Sequence, residues 1–274
     1  MPRFAVVIPA YNAASTIAET LDSLDAQTYR DFEVVVVDDH STDDTRSICE
    51  ARSIQVTLRD HGLPRGPAAC RNVGVGSTTS AWIVFLDADD LAMPTRLDRI
   101  SACIDHFGDG VAMVSHPAAF FGPGKYTRAS VGSGNPNDRN WRLDSLCDGN
   151  DIACSAVAVR RDAFEREQGF DVSLRGVEDW HLWLRLSRWY AWGFIDEPLT
   201  NYRVNQTSLM SGRPLAEVRD QYLRLLTACQ TWMDGRQFSH LERAVNSSMR
   251  AHASQYPWIT RQIARLTGRL TIRQ

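Results

Sequence analysis

Residues 81–90 read Ala81-Trp82-Ile83-Val84-Phe85-Leu86-Asp87-Ala88-Asp89-Asp90, an apolar run followed directly by three carboxylates. A short run of bulky apolar residues predicts a buried strand, and ligands of open α/β sheets bind at the carboxyl ends of strands. Clustered carboxylates repel one another unless a cation lies between them. A hard divalent cation shared with a diphosphate would fill that role. The alternative is that Asp89 or Asp90 caps the helix predicted to begin near Pro94.

The first half of the chain alternates apolar strands with helical patterns, which is typical of a parallel sheet covered by helices. The predicted strands are Phe4–Ile8, Phe32–Val37, Ile54–Leu58, Trp82–Leu86 and Val111–Ser115. Neighbouring parallel strands end at the same edge of a sheet. The polar residues that follow these strands are therefore expected to converge there.

Polar residues follow the first two strands as well. The first strand ends in Pro9-Ala10-Tyr11-Asn12, where an aromatic ring can stack on a base and a turn can present backbone N–H groups. The second strand ends in Asp38 and Asp39, and a carboxylate there can accept a hydrogen bond from a base or a ribose hydroxyl. An ordinary turn would also fit the first segment, whereas helix capping leaves Asp38 and Asp39 unexplained.

Arg71 lies in a helix start made of small residues, Gly66-Pro67-Ala68-Ala69-Cys70. The planar guanidinium suits either a phosphate or one of the strand-end carboxylates. A plain surface arginine is the alternative.

The composition is that of an ordinary globular protein, with 274 residues of which 43% are hydrophobic and 23% charged. The formal net charge of −3 gives no indication of nucleic-acid binding. Lys125 is the single lysine, and no Gly-x4-Gly-Lys phosphate loop is present. The six cysteines form no C-x-x-C pair, so reduced thiols are expected.

The segment 116–150 is rich in glycine, proline and polar residues, and it predicts a long irregular region of functional importance. Regular structure is predicted to resume with a strand at Ala153–Val159 and a helix from Asp162 to Gln168. An apolar helix around Trp183 and a strand at Trp192–Ile195 follow. After Pro214 the pattern is wholly helical.

Five motifs in this order resemble the nucleotide-sugar-binding half of glycosyltransferase family 2, and the resemblance covers roughly residues 3 to 205. The motifs are Val7-Ile8-Pro9-Ala10-Tyr11-Asn12, Val37-Asp38-Asp39-His40-Ser41-Thr42-Asp43, Ala69-Cys70-Arg71-Asn72-Val73-Gly74, Phe85-Leu86-Asp87-Ala88-Asp89-Asp90 and Gly176-Val177-Glu178-Asp179-Trp180. The resemblance implies an α/β GT-A fold, which is Rossmann-like with a mostly parallel sheet flanked by helices. It also implies transfer of a sugar from a nucleotide diphosphate donor with inversion. The predicted base contact favours UDP or another pyrimidine nucleotide.

The resemblance assigns roles residue by residue. Asp179 would be the general base, and Asp87, Asp89 and Asp90 would bind a divalent cation, Mn²⁺ or Mg²⁺. Asp39 would recognise the base. The remaining nucleotide-sugar contacts would be Pro9, Ala10, Tyr11, Asn12, Arg71, Asp87, Ala88 and Glu178.

The chemistry suits these residue types. A leaving diphosphate needs a cation to neutralise its developing charge, and an acceptor hydroxyl needs a carboxylate to take its proton. A helix N-terminus would lower the pKa of Asp179, whereas Glu178 and the donor phosphates would raise it, so the sign stays open. Asn205 replaces a histidine that many family members carry shortly after the Tyr-Arg pair. This departure predicts metal binding that is weaker, or that rests on the acidic motif and the diphosphate alone.

Two other classes of protein stay open as hypotheses. Sugar nucleotidyltransferases share a nucleotide-binding sheet with acidic metal ligands, but their basic, glycine-rich N-terminal loop is replaced here by Pro9-Ala10-Tyr11-Asn12. A catalytically inactive binding or scaffold member would bind the donor without turnover.

The predicted division is a GT-A domain over 1–212, with a donor half of about 1–115 and an acceptor half of about 116–212, and a C-terminal helical extension over 213–274. The acceptor is expected to be a glycan or a lipid-linked sugar. No signal peptide or spanning segment is apparent, so a cytoplasmic location is predicted. A homo-oligomer is a further hypothesis.

Arginines recur every four residues near the C-terminus, at Arg261, Arg265, Arg269 and Arg273, beside an apolar stripe. The pattern predicts a basic amphipathic helix. Such a helix would make peripheral contact with the inner face of a membrane, or pack on the catalytic domain or a partner subunit.

Overall fold

The computed structural model describes residues 1–52, 56–60, 65–122, 127–128, 139–204 and 213–254. The first part of the chain forms β1 (Phe4–Ala10), α1 (Ile17–Asp25), β2 (Phe32–Asp38), α2 (Thr45–Glu50), β3 (Val56–Asp60), α3 (Pro67–Gly76), β4 (Trp82–Phe85), β5 (Leu91–Ala92), α4 (Arg96–Phe107) and β6 (Val111–Ser115). The later part forms β7 (Ala118–Phe121), β8 (Thr127–Arg128), α5 (Arg139–Asp148), β9 (Val157–Arg160), α6 (Arg161–Arg166), α7 (Glu178–Ser187), β10 (Ala191–Phe194), β11 (Thr200–Arg203), α8 (Leu215–Gln230) and α9 (Gly235–Ser254).

Seven strands form the main sheet in the order β10-β6-β9-β4-β1-β2-β3. Strands β4, β1, β2 and β3 are mutually parallel, and β9 runs antiparallel to both of its neighbours. The predicted α/β class with a mainly parallel sheet is therefore confirmed. The carboxyl ends of β4, β1 and β2 lie side by side, so the residues that follow them share one edge.

Both faces of the sheet are covered, which explains why its strands are apolar at consecutive positions. Val7 of β1 enters a core with α3, α5 and α7, whereas Ile8 enters a second core with α1 and α4. Leu225 of α8 and Val245 of α9 belong to the same core as Val7. The C-terminal helices thus pack on the main α/β fold, and the boundary predicted at residue 212 stays a prediction.

The prediction of an irregular 116–150 segment is wrong for much of its length. Strand β7 pairs in parallel with β11 in a second, smaller sheet, from Ala118 with Thr200 to Phe121 with Arg203. Helix α5 contacts α7 and α9. The partners of β7 and α5 lie far away in sequence, so a local sequence pattern could not predict these two elements.

Smaller corrections concern element ends. The strand predicted at Ala153–Val159 begins with a 3₁₀ turn at Cys154–Ala156 and becomes extended only from Val157. The following helix spans Arg161–Arg166 rather than Asp162 to Gln168.

Among the helices in the described ranges, none combines the length and the apolar character needed to cross a bilayer. Asn205 and the predicted basic helix beyond residue 256 lie outside those ranges.

Candidate active site

Three aspartates follow β4, where the sequence predicted an acidic cluster. Asp87 and Asp89 are half-buried, whereas Asp90 is only 1% exposed. Asp90 Oδ1 accepts a hydrogen bond from the backbone N–H of Arg203 at 2.8 Å. Burial, followed by the charges of Asp87 and Asp89, raises the pKa of Asp90 well above its ordinary value. The three carboxylates therefore lie close enough to repel one another.

The capping alternative for these aspartates is wrong, because Thr95 occupies the N-cap of α4. Carboxylate oxygens are ligands that Mg²⁺ and Mn²⁺ prefer, and a cation would relieve the repulsion. Within the described ranges no three His, Cys, Asp or Glu side chains are already grouped to hold a metal ion. Asp87 and Asp89 are the accessible carboxylates that could hold a cation, which would need further ligands from outside the described residues.

Arg71 lies at the centre of the site, with its side chain 5% exposed. Its Nη2 donates to Asp87 Oδ1 at 2.6 Å, and its Nη1 donates to Glu178 Oε1 at 3.4 Å. Burial works to lower the pKa of Arg71, and the neighbouring negative charges, led by Asp87, outweigh it and raise this pKa. The sequence left a phosphate and a carboxylate open as partners of Arg71, and in the structure its partners are carboxylates.

Asp179 is half-buried in the first turn of α7, next to the buried Glu178. Its Oδ1 accepts a hydrogen bond from the backbone N–H of Trp180 at 2.6 Å. Burial and then the charge of Glu178 raise the pKa of Asp179 to about 7, against the lowering effects of the Trp180 N–H and Arg71. The sequence left open whether the pKa of Asp179 is raised or lowered, and in the structure it is raised. A carboxylate with a pKa of about 7 suits the role of a proton acceptor near neutral pH.

Tyr202 of β11 is a site residue that the sequence analysis did not single out. Burial raises its pKa, and the charges of Asp87, Asp90, Asp89 and Asp179 raise it further. The phenol therefore lies where the charges of all four carboxylates act on it. The Tyr202-Arg203 pair was the available signal, but it directed attention only to Asn205.

Arg203, the next residue, binds the turn that carries Asp89 and Asp90. Its Nε donates to the carbonyl oxygen of Asp89 at 2.8 Å, while its Nη2 pairs with Glu19 at 2.6 Å. Together with the bond from its N–H to Asp90, these contacts fix the turn against β11.

The ends of β1 and β2 are tied together by Asn12. Its backbone N–H donates to Ser41 Oγ at 2.9 Å, and its Oδ1 accepts from the Thr42 N–H at 2.8 Å. Tyr11 is left 58% exposed beside this link, so its ring is available to a ligand. Pro9 lies inside β1 opposite Val37, and the carbonyl oxygen of Ala10 accepts from the Asp39 N–H at 2.7 Å.

Two other predicted contact residues are engaged within the protein. Asp39 is 6% exposed, and its carboxylate accepts from the N–H groups of Arg65 and Gly66 at 2.9 and 2.8 Å. The Ala88 carbonyl accepts from the hydroxyls of Thr16 and Thr20 at 2.9 and 3.0 Å. These bonds position the strand ends, and the predicted roles of Asp39 and Ala88 toward a nucleotide sugar stay predictions.

The mainly parallel main sheet and its acidic edge define the class of protein as an α/β fold of the GT-A type. The chain belongs to the family described as glycosyl transferase family 2, whose profile matches residues 5–167. The chain spans 33–65% of the length of three curated glycosyltransferases to which it is 27–30% identical.

One relative is the UDP-Glc:alpha-D-GlcNAc-diphosphoundecaprenol beta-1,3-glucosyltransferase WfaP of Escherichia coli. It is 26% identical over 189 residues, which cover 68% of this chain and 70% of WfaP.

Two solved structures are similar in fold. The 1–349 fragment of Staphylococcus aureus TarS in complex with UDP-GlcNAc superposes with a TM-score of 0.71 at 20% identity, covering 89% of this chain and 72% of that one. The mannosyltransferase PcManGT of Pyrobaculum calidifontis, in complex with GDP-Man and Mn²⁺, gives a TM-score of 0.61 at 22% identity, covering 99% and 76%.

Proposed function

We propose that the protein is an inverting, metal-assisted glycosyltransferase that moves a sugar from a UDP-sugar to an acceptor hydroxyl. WfaP uses UDP-Glc by name and TarS was solved with UDP-GlcNAc, while PcManGT binds GDP-Man. The acceptor named for WfaP is a sugar on a lipid diphosphate, which supports a glycan or lipid-linked acceptor here.

The observation that carries the proposal is the environment of Asp179. This carboxylate has a pKa of about 7, and the residue before it, Glu178, shares the Arg71 guanidinium with Asp87 of the acidic cluster. A base must meet the acceptor hydroxyl where the donor phosphates meet the cation, so the two kinds of carboxylate have to be neighbours.

The reaction then needs one displacement. The acceptor oxygen attacks the anomeric carbon of the donor and gives its proton to Asp179. The bond from that carbon to the phosphate oxygen breaks, and its electron pair leaves with the nucleoside diphosphate. Attack on the face opposite the leaving group inverts the anomeric centre.

The other residues orient these groups. A cation held by Asp87 and Asp89, with Asp90 behind them, would neutralise the charge that develops on the leaving diphosphate. Arg71 holds Asp87 and Glu178 at fixed positions, since it donates to both carboxylates. Tyr11 offers an exposed ring for the base.

The test is hydrolysis of the donor, in which water replaces the acceptor. UDP-Glc and UDP-GlcNAc are incubated with Mn²⁺ and the protein, and released UDP is measured. Asp179→Asn should lose about 10²-fold or more in rate because the proton acceptor is gone, and it should keep its affinity for UDP. The control is Asp162→Asn, an aspartate in the first turn of α6 whose side chain is 68% exposed.

Several outcomes would contradict the proposal. Release of pyrophosphate would indicate a nucleotidyltransferase, and UDP binding without any turnover would indicate a scaffold member. An Asp179→Asn variant as active as Asp162→Asn would remove Asp179 from the role of base.

A further inference from the structure

A cleft next to the catalytic base is lined by arginines that the proposed reaction does not use. Its inner part, of about 90 Å³, lies between the start of α3 and the turn before α7, and Arg65, Gly66, Arg175, Gly176, Glu178 and Arg213 line it. A larger cavity of about 540 Å³ shares Arg175 and Arg213 and continues along the start of α8. The two cavities share two lining residues, and we call them together the arginine cleft.

The inner part of the arginine cleft is positively charged. Three arginines line it against one acid, Glu178, which already accepts hydrogen bonds from Arg71 and from the Gly176 N–H. Within the described ranges, no ion pair joins Arg65, Arg175 or Arg213 to a carboxylate. The cleft thus has positive charge that the described part of the protein does not neutralise.

The outer cavity is closer to neutral. Glu217 and Asp220 line it together with Arg175 and Arg213, and Asp220 also pairs with Arg224 at 2.7 Å. Arg213 Nη1 donates to the carbonyl oxygen of Arg175 at 3.3 Å, which holds these two lining residues together. An anion would therefore be attracted to the inner end, beside Glu178.

The position of the inner end favours the acceptor over the donor. Glu178 forms its wall and Asp179 is the next residue, so a ligand there is adjacent to the base. The other walls come from the start of α3, from the turn before α7 and from Arg213 before α8. Arg71 is committed to Asp87 and Glu178, so a phosphate on the acceptor needs other cations.

Resting on the proposed function, we propose that the arginine cleft binds a phosphate group of an anionic acceptor and thereby places the acceptor hydroxyl beside Asp179. Guanidinium groups bind phosphate through paired N–H donors, and exposed arginines such as Arg65 and Arg175 can do so without the cost of leaving a buried charge unpaired.

Glycerol 3-phosphate is the probe for this site, and its binding is measured by calorimetry with and without saturating UDP and Mn²⁺. We expect binding to wild-type protein in both conditions, because the donor and the probe occupy different places. Arg175→Ala and Arg213→Ala should each weaken probe binding about tenfold, as loss of a charged hydrogen bond would do, with UDP affinity unchanged. Arg219→Ala is the matched control, since Arg219 is exposed on α8 outside the lining.

Loss of probe binding when UDP is present would assign the phosphate to the donor site and overturn the proposal. Equal probe affinity in Arg175→Ala, Arg213→Ala and Arg219→Ala would overturn it as well. Thermal unfolding of each variant checks that it folds, and Arg175→Gln keeps side-chain length if alanine perturbs the loop. Failure of UDP to bind wild-type protein would count against the proposed function only, since the probe measurements without UDP still decide the cleft.

Discussion

Asp179 lies where its charged form is disfavoured, since it is half-buried and directly follows another carboxylate. Its pKa is about 7 in the folded protein, compared with an ordinary value of 3.8. Arg71 lies close enough to limit the shift, but its two ion pairs go to Asp87 and Glu178. A proton acceptor poised near neutral pH is the result.

The pH dependence of donor hydrolysis follows from this pKa. A general base works only when it is deprotonated, so kcat/KM should rise as pH rises through about 7 and level off above it. Rates measured from pH 5 to 9 with Mn²⁺ check the profile. A rate that is already maximal at pH 5 would mean that Asp179 is ionised there.

The raised pKa of Asp179 should also affect the free energy of unfolding, which can be measured without any substrate. Between pH 3.8 and about 7 the folded protein keeps a proton that the unfolded chain releases, so the free energy of unfolding falls as pH rises through this window. Asp179→Asn removes the effect. At pH 8 the wild type has lost at most about 4 kcal/mol of its free energy of unfolding, so the variant should melt a few degrees above it. Below pH 4 the two proteins should melt at the same temperature.

At the scale of elements, helix α3 connects the donor edge to the base. Arg71 on this helix reaches Asp87 and Glu178, and the next residue, Asn72, exchanges two hydrogen bonds with the backbone of Phe170 at 2.8 and 2.9 Å. Phe170 precedes the turn that leads to α7. The position of the base therefore depends on how closely α3 packs on the sheet.

Gly74 allows that close packing. A Cβ at Gly74 would lie less than 3.0 Å from Cγ1 of Val7 and 3.3 Å from Cγ2 of Val37, whereas a Cβ at Gly76 would meet nothing within 4 Å. Gly74→Ala should lower the free energy of unfolding by about 1–3 kcal/mol, because the branched side chains below cannot move aside. Gly76→Ala, on the same helix, should raise it by up to about 1 kcal/mol.

Urea unfolding of both variants measures these changes. Equal effects of the two substitutions would mean that helix propensity, rather than contact with the sheet, decides the outcome.

At the scale of the whole molecule, the two cores enclose almost all of the thiols. All six cysteines are free, five are buried, and Cys103 is half-buried. Burial raises the pKa of Cys103 to about 11 and that of Cys49 to about 11, with Asp38 adding to the latter. The reactive thiolate is thus scarce at neutral pH even where a reagent can enter.

Native protein at pH 7.5 should therefore react slowly with an aromatic disulfide reagent, whereas six thiols should react at once in guanidinium chloride. The absorbance of the released thiolate measures both rates. Cys103→Ser should remove the fastest native phase, because Cys103 is the most accessible thiol. Rapid reaction of several native thiols would mean that the core opens readily.

The amino-acid sequence by itself determined the α/β class, the parallel strands of the first half and the acidic edge. Those features rest on local periodicity and on the rule that parallel strands end at one edge, so neighbours in sequence suffice to predict them. The tertiary structure decided the features that depend on distant partners: the pairing of β7 with β11, the commitment of Arg71 to Asp87 and Glu178, and the position of Tyr202, where the charges of four carboxylates raise its pKa. The upward pKa of Asp179 belongs with them, because desolvation and the charges around a group depend on how the folded chain encloses it.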